Sequence, residues 1–351
     1  ISSPLSSRPL SQFATHTDPA ATPSRDHALA LHTMRASFAT LARSLGPLQS
    51  IRSRCFHRLQ HTRSTEDYDR AAQVLQSSRL IPSKPVDLPV TSLNEAYELH
   101  CAIARKCQGN RAGWKVGASN SAAIERLGLA ESFRGPLFHQ TVRSSPAKVA
   151  WEELGVALFA VEAEFAFKMR TGLPPRPEPY TQEEVWEAVA SVHPAIEVAA
   201  TRSPNALPLS ASTVSTIVAD FALHGVLVLG DGVDARKIDV HGLADVQAEI
   251  SRVGAGEEGA AVNKGKGANV LEHPVKSLTW LVNALRKDGI SLEEGQIVST
   301  GAATLLTSDQ VPWGKECTLE MKMGPLYPGA EPMTIRLDLP SENVRPWQIV
   351  E

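Results

Sequence analysis

Cysteine is scarce in this 351-residue chain, with only Cys55, Cys101, Cys107 and Cys317. Their spacing fits neither a disulfide framework nor paired zinc ligands. Cys101 and Cys107 lie six apart on a predicted helix and so are not neighbours on one helix face. Reduced thiols in a cell interior are the expectation. Long apolar runs are missing too. Uncharged stretches such as Leu154 to Val161 fall far short of the roughly 20 residues a bilayer demands, so no membrane partner is expected. Net charge is nearly absent: 35 basic side chains against 38 acidic ones leave −3, and nothing overall points to nucleic acid. There is no G-x-S-x-G nucleophile elbow. The run Asn263-Lys264-Gly265-Lys266-Gly267 lacks the strand–loop–helix setting and the Lys-Ser/Thr ending of a P-loop, and reads as a hairpin turn. Internal repeats are absent. What remains is a chain of ordinary globular composition, 42% hydrophobic, long enough for one large domain or two small ones.

The first 65 residues are almost without acid and wholly without lysine. Eight arginines stand against Asp18 and Asp26, giving +6, so the remainder carries −9. From Met34 to Arg63 the segment has Arg35, Arg43, Arg52, Arg54, Arg58 and Arg63, many serines and threonines, and no acidic residue. Such a composition is that of a mitochondrial transit peptide with Met34 as a candidate start; the alternative is a disordered basic tail with no address. Residues 1–65 are therefore set apart from the fold. Residues 66–351 are expected to form a single domain, helical over 66–150 and β-rich over 151–351, in a mitochondrial location or otherwise a cytoplasmic one.

Ser64-Thr65-Glu66-Asp67 is a capping signal for a helix to about Gln76. Ser92-Leu93-Asn94-Glu95 opens a second helix, with Ala96, Tyr97, His100, Ile103 and Ala104 on one face, ending near Gly109. A short strand over 113–117, a short helix over 121–130, and a strand from about Gly155 to Met169 follow. A proline-rich loop at 174–179 leads to the capping box Thr181-Gln182-Glu183-Glu184 and a helix to about Val192. Pro194 to Ala200 and Phe221 to Leu229 read as strands. Ala244 to Val253 with Ala260 to Lys264 reads as a hairpin. Pro274 to Lys287 has a Val275, Leu278, Leu281, Val282, Leu285 stripe with Gly289 placed to stop it. Ile297 to Thr300, Glu316 to Met323 and Met333 to Leu337 complete the strands. Helices cluster early and strands late, which predicts a mainly antiparallel α+β architecture.

The chemistry is concentrated in Val161-Glu162-Ala163-Glu164-Phe165-Ala166-Phe167. In a strand, residues two apart share a face. Glu162 and Glu164 then lie side by side, with Val161, Ala163, Phe165 and Phe167 turned to a core. In a helix they would diverge by about 200°. A third carboxylate, Glu197, sits in a second apolar run between Ile196 and Val198. Carboxylates are costly to bury without positive compensation. Three on two strands make a hard, oxygen-only cation site suited to Mg²⁺ or Mn²⁺; two solvated glutamates on an exposed face are the alternative. Lys115, in Gly113-Trp114-Lys115-Val116-Gly117, is placed to approach a small anionic ligand, stabilising negative charge or handing over a proton, or else it is a surface lysine with a buried stem. His139, His193 and His224 are scattered and carry no pattern.

Together these stretches resemble the fumarylacetoacetate hydrolase superfamily, nearest its 2-keto-4-pentenoate hydratase and oxalocrotonate decarboxylase branch. The resemblance rests on Glu95-Ala96-Tyr97, the glycine-flanked Lys115, Glu162-x-Glu164, Pro194-Ala195-Ile196-Glu197 with Arg202, Ala219-Asp220 with Leu229-Gly230, His273-Pro274 with Trp280-Leu281, and Gly295 to Gly301. It implies a mixed β-sandwich-like roll with flanking helices and a homo-oligomer. It also implies a Mg²⁺ or Mn²⁺ ion held by Glu162, Glu164 and Glu197, Lys115 as the active-site lysine, and a small 2-oxo acid or its dienol as substrate. Hydration and decarboxylation are the reactions of that branch; a non-catalytic scaffold of the same fold is the contrasting class. Two positions depart from the pattern. Phe133, in Glu131-Ser132-Phe133-Arg134-Gly135, stands where hydratases of the group carry an aspartate, and Gly301-Ala302 stands in place of Gly-Ser.

Overall fold

The longest strands form where the chain is apolar on both of its alternating faces. A computed structural model describes residues 88, 90–106, 111–253 and 261–341. The predicted leader 1–65 and the predicted helix from Ser64 to Gln76 lie outside them. In chain order the strands are β1 Arg111–Gly117, β2 Phe133–Phe138, β3 Val142–Ser144, β4 Ala147–Lys148, β5 Ala157–Met169, β6 Val189–Thr201, β7 His224–Leu229, β8 Val233–Asp234, β9 Gln247–Val253, β10 Ala261–Lys266, β11 Ile297–Thr307, β12 Cys317–Met323 and β13 Met333–Leu339.

They make two sheets. The larger runs β2-β1-β11-β5-β6-β7-β3, with β8 also on β6; the smaller runs β10-β9-β12-β13-β4. Pairing is antiparallel except for β1 with β11, β3 with β7, and β13 with β4. One continuous apolar core takes Val161, Ala163, Phe165 and Phe167 of β5 together with Leu319, Met321 and Leu337 of the smaller sheet, so the sheets pack face to face. All of these side chains are fully buried, each worth roughly 1.5–3 kcal/mol for the larger ones. The expected α+β class is found, with its mixed, sandwich-like sheets and flanking helices. No helix among the described residues is long and apolar enough to cross a membrane.

The helix Pro274–Lys287 has its predicted bounds. Pro274 stands at its first position, His273 Nδ1 accepts from the Val275 N–H at 3.1 Å, and Gly289 terminates it at φ +73°. The helix Leu93–Lys106 starts where its capping box places it: Ser92 Oγ accepts from the Glu95 N–H at 3.2 Å. The Glu95 carboxylate, however, accepts from Thr91 N at 2.6 Å, one residue earlier than the box implies.

Three expectations need correction. The helix opened by Thr181 is Gln182–Glu187 and stops well short of Val192. Val189 to His193 extends β6 instead, because Val192 pairs with Phe167 across the sheet and tertiary pairing outweighs local helix propensity. Phe221–Leu223 is a 3₁₀ turn rather than strand, with φ of 53°, 57° and 63°. Lys264 and its neighbours are not a turn but part of β10, with Lys264 Nζ 2.9 Å from Glu249. In addition, β11 runs seven residues beyond Thr300, and β2 had no strand signal because Gly135 and Pro136 interrupt it.

A second core cluster lies between Leu93–Lys106 and the helix Val214–Ala219, through Leu99, Ile103, Ile217 and Val218. His100 is buried there, its Nε2–H donating to Val218 O at 2.7 Å and its Nδ1 without a partner. Burial, aided by the nearby Arg134 charge, lowers its pKa to about 3. The folded state thus holds His100 neutral where an unfolded chain binds a proton near 6.5. Stability from this site is complete above about pH 6.5 and drains away as pH falls toward 3, with a ceiling of roughly 5 kcal/mol. Thermal melts across that window should show His100→Gln losing less stability than the wild type on acidification; parallel curves would contradict this.

Candidate metal centre

β5 and β6 pair so that Glu162 lies directly opposite Glu197, and Glu164 follows on the same face of β5. Each of the three offers an oxygen within 4.8 Å of the others. Glu164 and Glu197 are fully buried and Glu162 is partly exposed. The exposed-face alternative for this pair is thereby set aside. Lys115 arrives from β1, which is joined to β5 through β11, and it is 3% exposed. Its Nζ lies 2.6 Å from Glu197 Oε2 and donates to Ala222 O at 3.0 Å. The surface reading of that lysine is excluded by its burial.

The left-handed turn 221–223 places that carbonyl. It is clamped by a buried ion pair: Arg202 Nε donates to Asp220 Oδ1, and Arg202 N and Thr201 Oγ1 donate to Asp220 Oδ2, at 2.6–2.7 Å. Left-handed conformations cost non-glycine residues of order 1 kcal/mol or more each and persist only where surroundings hold them. Here the Arg202–Asp220 pair supplies the restraint.

The electrostatics divide the carboxylates. Burial raises Glu164 well above the usual carboxylate range, and the neighbouring Glu197 and Glu162 charges add to the effect. Burial also raises Glu162, with Lys115 opposing. For Glu197 burial is overcome: Lys115 and His224 hold its pKa down to about 2. Lys115 stays firmly protonated, its desolvation outweighed by Glu197, Glu162 and Glu164. One carboxylate is therefore matched by a lysine, while two more are short of positive charge.

A divalent ion fits that deficit. The donors are hard oxygens. Glu164 Oε2 accepts from Ser299 Oγ and from the Gly301 N–H at 3.0 Å, which leaves its buried Oε1 with no partner. An orphaned buried carboxylate oxygen facing two other carboxylates is what a cation site presents before a cation enters. Gly301 reaches Glu164 from φ +95° within the β11 bulge, and a Cβ there would meet Ser119 Oγ at 2.1 Å and Ser119 Cβ at 2.4 Å. Gly301→Ala is expected to pull this N–H off Glu164, lowering Tm and weakening Mn²⁺ binding together. Unchanged values in calorimetric titration and thermal melts would contradict that.

Beside the carboxylates is a cavity of about 110 Å³, lined by Lys115 and Glu162, by the polar Ser119, Asn120 and Arg126, and by apolar side chains that include Phe133, Phe159, Leu209 and Ile217. Phe133, 5% exposed, forms apolar wall where the family pattern leads one to expect an acid. A larger cavity of about 480 Å³ at Arg111, Trp114 and Arg134 holds none of the four candidate residues.

The structure brings together all four residues singled out in the sequence. It adds Ser299 and Gly301, which lie in the Gly295–Gly301 stretch already noted, and His224, whose Nδ1 is 2.7 Å from Glu197 Oε1. His224 was missed because it only begins an apolar run; no spacing rule connects it to a residue 27 positions away.

No family model matches the chain. Among curated proteins it is 28% identical over 235 residues to the 2-keto-4-pentenoate hydratase of Paraburkholderia xenovorans (strain LB400), covering 66% of this chain and 81% of that protein. To 2-keto-4-pentenoate hydratase 2 of Dechloromonas aromatica (strain RCB) it is 31% identical over 218 residues, covering 61% and 78%. Among solved structures, the 4-oxalocrotonate decarboxylase from Pseudomonas putida G7, complexed with magnesium and adipate, shares the fold. Its TM-score is 0.65 at 20% identity, covering 80% of this chain and 100% of that one. Identity of 31% along more than three quarters of a hydratase means that the chain belongs to the 2-keto-4-pentenoate hydratase family.

Proposed function

We propose that the chain is a divalent-metal-dependent lyase acting on small 2-oxo acids or their dienols, and specifically a 2-hydroxy-2,4-dienoate hydratase. Glu162, Glu164 and Glu197 hold Mg²⁺ or Mn²⁺, and Lys115 is the catalytic residue. One observation carries this: three carboxylates and a lysine converge, all but Glu162 buried, beside a cavity that Lys115 and Glu162 line. The hydratases it is similar to, and the magnesium in the decarboxylase structure of the same fold, support it.

When bound, the divalent ion supplies the positive charge that makes the enol form of a 2-oxo acid accessible. The residues of the chain do the rest. Lys115, kept charged by its acidic neighbours, faces the cavity as a fixed cation for the substrate's developing negative charge. Phe133, Phe159 and Leu209 give the cavity an apolar wall that suits a short hydrocarbon tail.

Decarboxylation of a 2-oxo acid is the second reading, favoured by one observation. Phe133 fills the wall position with a group that cannot transfer a proton, and decarboxylation needs less acid–base work than hydration. Following dienol absorbance and CO₂ together separates the two. Mg²⁺-dependent loss of absorbance without CO₂ supports the hydratase; CO₂ release supports the decarboxylase; neither, with no bound metal, leaves a scaffold.

The arginine-rich composition of residues 1–65 supports a mitochondrial address, with 66–351 as the catalytic domain. The superfamily resemblance supports a homo-oligomer.

A further inference from the structure

Glu197 is held from two sides, and only one of them is the lysine. His224 Nδ1 lies 2.7 Å from Glu197 Oε1, and both side chains are fully buried. An ionised carboxylate only accepts, so Nδ1 carries the hydrogen. The other ring nitrogen, Nε2, meets the Thr141 hydroxyl at 2.8 Å, and that hydroxyl bonds Phe138 O at 3.0 Å. The histidine backbone is fixed as well: its carbonyl accepts from Arg202 at 3.0 Å, and its Cα is paired with Ala199 of β6. A continuous chain of contacts therefore runs from Phe138 through Thr141 and His224 to the carboxylate.

We propose that His224 is a positioning residue for the cation site, a role that rests on the metal-centre reading above. The last torsion of a glutamate side chain is broad and readily turned. Left alone, Glu197 would swing both oxygens onto the Lys115 ammonium beside it. The Nδ1–H bond anchors Oε1, so the carboxylate plane is set and Oε2, the oxygen on the Lys115 side, is the one offered to a cation. Thr141 fixes the ring that does the anchoring. This is the outer support that orients a ligand before the ion arrives.

The test is Mn²⁺ titration of the full chain, read by the EPR signal of free Mn²⁺ alongside thermal melts. The proteins are wild type, His224→Leu, His224→Asn and Thr141→Val. His224→Leu is expected to raise the Kd for Mn²⁺ about 10- to 100-fold. His224→Asn, whose amide N–H takes the place of Nδ1–H, is expected to bind close to wild type even where its Tm falls. Thr141→Val should show a smaller loss in the same direction. Wild-type affinity in folded His224→Leu overturns the role, as does a loss in His224→Asn as large as in His224→Leu. If His224→Leu does not fold, Thr141→Val decides, and wild-type affinity there overturns the role. A wild-type chain that binds no Mn²⁺ overturns the metal centre itself and this role with it, a result distinct from binding that ignores His224.

Discussion

Glu164→Gln is expected to weaken Mg²⁺ and Mn²⁺ binding by about 10²- to 10⁴-fold and to remove metal-dependent turnover under ordinary Mg²⁺ concentrations. The size follows from the cost of removing one charged partner from a buried ionic cluster, about 3–5 kcal/mol, at a factor of ten per 1.4 kcal/mol. Gln keeps the shape of Glu, and its amide oxygen still accepts from Ser299 and Gly301. The metal-free protein should accordingly lose no stability. Burial and two neighbouring carboxylates raise Glu164 when no cation is present. A carboxyl raised in the folded state favours folding most at low pH and less as pH climbs above 4.5. Metal-free wild type should therefore weaken across that rise more than metal-free Glu164→Gln does, and saturating Mg²⁺ should abolish the difference. Isothermal titration and melts with and without Mg²⁺ measure both effects. A variant that binds metal as the wild type does would show that Glu164 is not a ligand.

Lys115→Met should separate what Glu164→Gln joins. Loss of a fixed charge and proton source at the reacting end is expected to lower kcat by about 10²- to 10⁴-fold at saturating Mg²⁺. Cation binding should survive, because removing a buried positive charge leaves the three carboxylates more in need of one. The metal-free protein should be destabilised, since Glu197 loses the nearer of its two partners, and Mg²⁺ should restore much of that stability. Steady-state rates against Mg²⁺ concentration, read with Tm in parallel, distinguish these effects. Equal loss of metal affinity and turnover would mean that Lys115 only holds the cluster together.

How much of this could be read without coordinates varies by element, for physical reasons. Period-two alternation around Glu162 and Glu164 defines one strand face, so their proximity was legible from spacing alone. Helix Pro274–Lys287 carried its proline, apolar stripe and terminal glycine within the segment itself, and its bounds followed. The register that sets Glu197 opposite Glu162 was not legible. It depends on which strands pair, a choice made by the whole sheet. The same holds for Val189 to His193, drawn into β6 by pairing with β5, and for the left-handed turn 221–223, held by the Arg202–Asp220 pair. His224 illustrates the limit most plainly: its partners Glu197 and Thr141 lie 27 and 83 positions away in the chain.

The most direct measurement is anomalous diffraction from crystals of the full chain soaked in Mn²⁺ with oxalate as a 2-oxo acid mimic. A single strong peak should lie about 2.0–2.2 Å from carboxylate oxygens of Glu162, Glu164 and Glu197, with oxalate between the ion and Lys115. A peak seated elsewhere, or none at these three side chains, would contradict the account.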